Sequence, residues 1–424
     1  METTRDTHGT GSPASCLQQW EKRLARIPPV RVLGSVPRTL RFAGETLLQG
    51  HLPGEAAEQG PPLPRLSVGL LANVAMDEAA LLAFMGPNRF PRRADYERVR
   101  SELAEARALY AERGWLADPA SYHRQPPPLE RPQLGRGWAA GVSFERLHFD
   151  SGYEPHEGEP GRQRWMDYAT NRVADAWLLR HEDGPRPWVV CVHGFGMGYP
   201  FMAFHPFDAH GLHRDLGVNV VGPTLPLHGR RRVTRLSGEA MLSFDLMNSV
   251  LGLAQSVWDL RRLLSWVRTQ EPTSVAVYGI SLGAYVASLL VTLDGGIDAV
   301  VAGVPVVDFP ALYHAHAPSS IRMRVVEHQI LGGPAEDVHR VVSPLSLPPR
   351  VPRDGRFVFA GLGDRMAYPT QAWQLWKHWD EPEITWYAGS HVAFLWSGEV
   401  RSFVRRALGR TGGSREGGGP LAPT

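Results

Sequence analysis

The chain has 424 residues, 43% of them hydrophobic, enough for a large core, and one big domain with an extension is the natural reading. A formal net charge of +2 gives no reason to expect nucleic acid or a strongly anionic membrane as a partner. Cys16 and Cys191 are the two cysteines, too few for a disulfide framework.

Residues 1–15 are polar, contain Gly9, Gly11 and Pro13, and lack the apolar core of a secretory signal; they read as a disordered N-terminus. Apolar stretches such as Ile297–Val307 are too short to span a bilayer, and Leu66–Met85 is interrupted by Asp77 and Glu78. A cytoplasmic protein with no transmembrane segment is expected. Residues 16–137 read as a helical extension, with Tyr96, Val99, Leu103, Ala106 and Tyr110 on one helix face and Gly114 as a C-cap. Pro126-Pro127-Pro128 marks a stiff linker, and a helical arm packed on the main domain is favoured over an independent module.

From residue 138 to 410 strands alternate with helices. Phe144–Phe149, Ala174–Leu179, Pro187–Val192 and Asn219–Val221 read as strands, with a helix around Ala203–Leu216. Met247–Val267 steps by three and four as a long helix. Strands follow at Ser274–Tyr278, Ala299–Val307, Arg356–Ala360 and Glu383–Tyr387, and helices at Thr370–Trp379 and Ala393–Leu408. This alternation predicts an α/β fold with a mostly parallel sheet covered on both faces, its active site at the carboxyl ends of the strands. Residues 411–424 are rich in Gly and Pro and read as a disordered tail.

Gly279-Ile280-Ser281-Leu282-Gly283 lies between a β-branched strand and a helix in which Val286, Leu289, Leu290 and Leu293 recur. Strand, Gly-x-Ser-x-Gly, helix is the context that forces a serine onto a strained turn with its Oγ exposed, and side chains at Gly279 and Gly283 would collide there. A serine nucleophile needs a base and an orienter. Asp364 follows Arg356–Ala360 in Gly361-Leu362-Gly363-Asp364-Arg365, and His391 follows Glu383–Tyr387 in Gly389-Ser390-His391-Val392. Asp308 also ends a strand and is the rival acid; His378 lies inside a helix and is the weaker base.

His193-Gly194-Phe195-Gly196-Met197-Gly198 follows the strand Pro187–Val192, where a glycine-rich turn lets main-chain N–H groups face the site. The amides of Phe195 and Leu282 are the expected oxyanion donors, with His193, Gly194, Gly196, Gly279 and Gly283 structural around them. The loop lacks the Gly-x-Gly-x-x-Gly spacing of a dinucleotide fingerprint, and no acidic residue ends the strand Asn219–Val221. Cys191 reads as core, and His314-Ala315-His316 lacks a third metal ligand.

On the Gly279–Gly283 elbow, the His193–Gly196 loop, Pro226-Leu227-His228-Gly229 and the placements of Asp364 and His391, residues 140–410 resemble the α/β-hydrolase superfamily. The resemblance implies an eight-stranded, mostly parallel sheet and a serine hydrolase that cleaves a carboxylic ester or thioester without cofactor or metal. It also implies a cap insertion over 309–347, with Leu312, Tyr313, Ile321, Met323, Val325, Ile330 and Leu331 as an apolar ceiling. Acyltransferase, haloperoxidase-like and carbon–carbon hydrolase activities share the fold, as do non-catalytic binding proteins. Arg230, Arg231, Arg232 and Arg235 read as a solvated surface run, with an anionic substrate group as the alternative.

Overall fold

The computed structural model describes residues 29–49, 60–84, 91–317, 319–328 and 330–412. The expectations for residues 1–15, for Cys16 and for residues 413–424 fall outside these; residues 411 and 412 close the last helix.

A nine-stranded sheet organises the chain. The strands are β1 (Gln133–Ala139), β2 (Val142–Asp150), β3 (Val173–Leu179), β4 (Trp188–Val192), β5 (Asn219–Pro223), β6 (Val275–Ile280), β7 (Ala299–Gly303), β8 (Arg356–Gly361) and β9 (Glu383–Tyr387). Their order is β1-β2-β3-β5-β4-β6-β7-β8-β9. The run from β5 to β9 is parallel, whereas β1, β2 and β3 pair antiparallel at one edge. The ninth strand, β1, is the addition to the eight expected. Its burial is slight and its sequence carries glycines at 135 and 137, so neither hydrophobic alternation nor β-branching marks it; cross-strand pairing with β2 makes it a strand.

Alternation along the central strands divides the core. Val190, Val192, Val277, Val300 and Val358 face the helices Leu246–Arg268 and Leu282–Leu293, and the helix Arg93–Glu112 buries Tyr96, Val99, Leu103, Ala106 and Tyr110 into the same cluster. Val189, Cys191, Tyr278, Val301 and Phe359 face the opposite way, against Leu212 and Phe403. Each fully buried Val, Leu or Phe contributes about 1.5–3 kcal/mol. Two helices, Pro29–Gln49 and Val68–Phe84, pair around Phe42, Leu70 and Val74.

Three expected elements are shorter or divided. The helix around Ala203–Leu216 is two short helices, Pro200–Ala203 and Ala209–Asp215. Strand β7 stops at Gly303 because Val304 has a φ of 41° and Pro305 follows, which ends the ladder. The last helix is a 3-10 turn, Ala393–Trp396, followed by the helix Gly398–Gly412. Segment 309–347 carries the helices Phe309–His316, Ser319–Glu327 and Gly333–Arg340. Val325 and Ile330 are buried there, but Met323 is 71% exposed and is not part of an apolar ceiling. Among the described residues no helix is long and apolar enough to cross a membrane.

Candidate active site

Ser281 sits between β6 and the helix Leu282–Leu293 with φ 55° and ψ −117°, a conformation that non-glycine residues rarely hold. Both elbow glycines are sterically required. A Cβ at Gly279 would lie 2.2 Å from the Gly283 carbonyl oxygen, and one at Gly283 would lie 1.9 Å from the Val192 carbonyl oxygen. The second clash is with β4, not with the other side of the turn, so the elbow is wedged against the neighbouring strand.

The loops after β8 and β9 bring Asp364 and His391 to Ser281. His391 Nε2 lies 2.9 Å from Ser281 Oγ, and His391 Nδ1 lies 2.7 Å from Asp364 Oδ2. Asp364 Oδ1 accepts the main-chain N–H groups of Met366 and Ala367 at 2.9 and 2.8 Å. With the Nδ1 proton donated to Asp364, Nε2 is left to accept from the serine hydroxyl. Asp364 is 2% exposed and His391 7%, while Ser281 is partly accessible. Burial lowers the proton affinity of the imidazole. The charge and hydrogen bond of Asp364, with the charge of Asp77, outweigh it and hold His391 above its ordinary value.

The rivals go elsewhere. Asp308 caps the helix Phe309–His316, its Oδ1 accepting the Ala311 N–H at 3.0 Å. His378 meets the Leu347 carbonyl at 2.9 Å. His314 and His316 lie on a helix, not a strand, so two positions apart they point to different sides; His316 Nε2 meets the Met366 carbonyl at 2.9 Å. Among the described residues no group of three or more His, Cys, Asp or Glu could hold a metal ion.

The glycine-rich loop after β4 runs against the elbow: a Cβ on Gly194 would approach Ser281 Cβ to 3.4 Å. Phe195 is partly buried in that loop, and Leu282 is the first residue of the helix after Ser281, where main-chain N–H groups lack intrahelical partners. Gly196 follows with a φ of 78°. His193 is buried, donates from Nδ1 to the Gly194 carbonyl at 2.8 Å and accepts the Leu225 N–H on Nε2 at 3.1 Å. Burial pushes its imidazole down to about 4, so it stays neutral and ties the loop to the segment after β5. Burial likewise pushes the Cys191 thiol up, which keeps it inert.

The arginine run is not uniformly solvated. Arg231 is 1% exposed, lies 2.8 Å from Asp259 Oδ2 and donates to the carbonyls of Thr224 and Asn171. Its fixed partners make it a structural cation, neither a surface charge nor a group open to an anionic substrate.

Sequence reasoning passes over Asp77. On the helix Val68–Phe84 it is fully buried, and its Oδ2 accepts the main-chain N–H groups of His391 at 2.8 Å and of Arg365 at 3.0 Å. Its neighbour Glu78, 3% exposed, pairs with Arg365 at 3.0 Å and with Arg38 at 3.2 Å. The available signal is two adjacent acids inside an otherwise apolar helix.

The strand order, the serine elbow and the loops after β4, β8 and β9 are those of the α/β-hydrolase fold. No family model matches the chain. Two proteins of Mycobacterium tuberculosis, the uncharacterized proteins MT2702 (strain CDC 1551) and Rv2627c (strain H37Rv), are each 42% identical to it over 353 residues, 83% of this chain and 84% of theirs. The chain belongs to the family of these mycobacterial proteins. Similar solved structures include acetyl xylan esterase from Paenibacillus sp. R4, 16% identical over 78% of this chain and 98% of the esterase, with a TM-score of 0.48. Acetyl xylan esterase 1 from Thermoanaerobacterium is 13% identical over 78% of this chain and 98% of its own, with a TM-score of 0.47. Pyrococcus horikoshii acylaminoacyl peptidase is 15% identical over 65% of this chain but only 40% of the peptidase, with a TM-score of 0.37. None of these three bears on what this chain acts on.

Proposed function

We propose that the protein is a serine hydrolase that cleaves a carboxylic ester or thioester through an acyl-enzyme. The observation that carries this reading is the hydrogen-bonded chain from Ser281 Oγ through His391 to Asp364, 2.9 and 2.7 Å, on a strained elbow. Ser281 Oγ attacks the carbonyl carbon while His391 Nε2 takes the hydroxyl proton. Asp364 holds the imidazole tautomer and stabilises the imidazolium. The amides of Phe195 and Leu282 take the developing oxyanion, and His391 returns the proton to the leaving alcohol or thiol. A water, deprotonated by the same nitrogen, then releases the acid and the free serine. No step calls for a cofactor.

A panel of p-nitrophenyl esters and acyl thioesters, run with wild type and Ser281→Ala, tests it. Turnover by wild type that the variant loses supports the reading; no turnover of any member, or equal turnover by both proteins, sinks it.

A further inference from the structure

Asp77 is in an unusual position for a carboxylate. It is carried by the N-terminal helix Val68–Phe84, lies beneath the loops that hold Asp364 and His391, and is fully buried. One oxygen accepts two main-chain N–H groups, from His391 and from the residue after Asp364; the other, Oδ1, is buried with no hydrogen-bond partner. A buried carboxylate is a costly way to accept two N–H groups, because a neutral amide oxygen could do so without a charge to desolvate. The helix also fits tightly there, since a Cβ on Gly363 would lie 2.7 Å from Leu70 and 3.0 Å from Val74.

We propose that Asp77 is a positioning residue for the Ser281–His391–Asp364 array, fixing the main chain of both loops and acting through its charge on the His391 imidazole. This rests on the serine hydrolase reading above. Through Asp77 the N-terminal helix pair completes the active site from outside the α/β domain. The charged and titratable groups that act on Asp77 and His391 are Asp364 of the loop after β8 and Tyr387 at the end of β9; around them, Arg365 pairs with Glu78 on the same helix as Asp77, and His316 of the helix Phe309–His316 faces Glu78, Asp364 and Arg365. The charge of Asp77 favours the imidazolium, and burial raises the proton affinity of Asp77 itself.

The test is the rate of labelling by a fluorophosphonate probe across about pH 5 to pH 9, for wild type, Ser281→Ala, Asp77→Asn and Asp77→Ala. In this reaction a bond forms between Ser281 Oγ and phosphorus, fluoride leaves, and His391 takes the hydroxyl proton, so no substrate need be known. Asp77→Asn keeps an acceptor for both N–H groups but no charge. It should label near the wild-type plateau rate. Wild-type Asp77 ionises at about pH 7, and the charge it then gains delays loss of the His391 proton; without that charge, Asp77→Asn should complete its acid limb at lower pH than wild type. Asp77→Ala leaves both N–H groups unpaired and should label about 10- to 100-fold more slowly. An unmoved limb in Asp77→Asn, or wild-type labelling by Asp77→Ala, overturns the proposal. So does failure of both variants to fold by near-ultraviolet circular dichroism, which would make Asp77 a requirement of the fold alone. Absence of Ser281-dependent labelling in wild type would instead overturn the hydrolase reading.

Discussion

The main-chain N–H of Ser281 donates to the Gly303 carbonyl at 2.9 Å, so the strained serine is pinned to the end of the neighbouring strand β7. Its backbone is therefore over-determined from outside the turn, which is the condition for strain of this kind to persist. The side chain contributes nothing to that pin.

Ser281→Ala should accordingly leave the fold intact. Ester turnover should fall by at least about a thousandfold, because without the nucleophile only oxyanion stabilisation and binding remain. Steady-state kinetics beside a thermal melt reads both. A folded variant with near-wild-type turnover would refute the assignment of Ser281.

Asp364→Asn should impair turnover far more than Asp308→Asn. Asp364 is the carboxylate 2.7 Å from His391 Nδ1, and an amide there could present its NH2 and favour the wrong tautomer. Asp308 accepts the Ala311 N–H as a helix N-cap, a role asparagine fills about equally well, so Asp308→Asn should leave turnover and melting temperature near wild type. Comparing kcat/KM and melting temperature for the two variants checks the ranking, and the reverse order would move the acid to Asp308.

Removing Asp259 strands the Arg231 guanidinium, 1% exposed, without its counter-charge. Asp259→Ala should cost about 3–5 kcal/mol of stability, whereas the double variant Arg231→Met with Asp259→Leu should recover most of it. Urea titration of both reads the difference. A single variant as stable as wild type would show that the Arg231 charge does not depend on Asp259.

The contribution of Asp77 to stability should fall as pH rises from about 4 to about 7. Burial, with the charge of Asp364, pushes the Asp77 carboxyl up to about 7, against an ordinary 3.8, so over that window the folded state holds a proton that the unfolded chain has released. By linkage this favours folding at low pH and is progressively lost up to about pH 7, by an amount on the order of 4 kcal/mol. His391, also raised, adds a contribution of the same sign that is present below its unfolded value and lost as pH rises through its folded one. Denaturation curves for wild type and Asp77→Asn should therefore differ in slope between these limits. Parallel curves would mean that Asp77 is ionised throughout.

The central strands are legible in the sequence because a buried parallel strand must be an unbroken apolar run, as Trp188–Val192 and Val275–Ile280 are. The serine elbow is legible for a local reason too: its two glycines and flanking periods all lie within a few residues. Ser281, Asp364 and His391 can be named as candidates because each follows a strand, and parallel strands deliver their ends to one edge.

What only the tertiary structure decides are the relationships with no local period. Strand β1 exists through its pairing with β2. Arg231 reads as one of a solvated run until Asp259, from another helix, is seen beside it. Asp77 meets the His391 main chain across 314 positions of sequence, a contact that no spacing rule reaches. Composition and periodicity report which side of an element faces the core; the identity of a buried charge's partner depends on how distant loops are brought together, and that is a property of the packed chain.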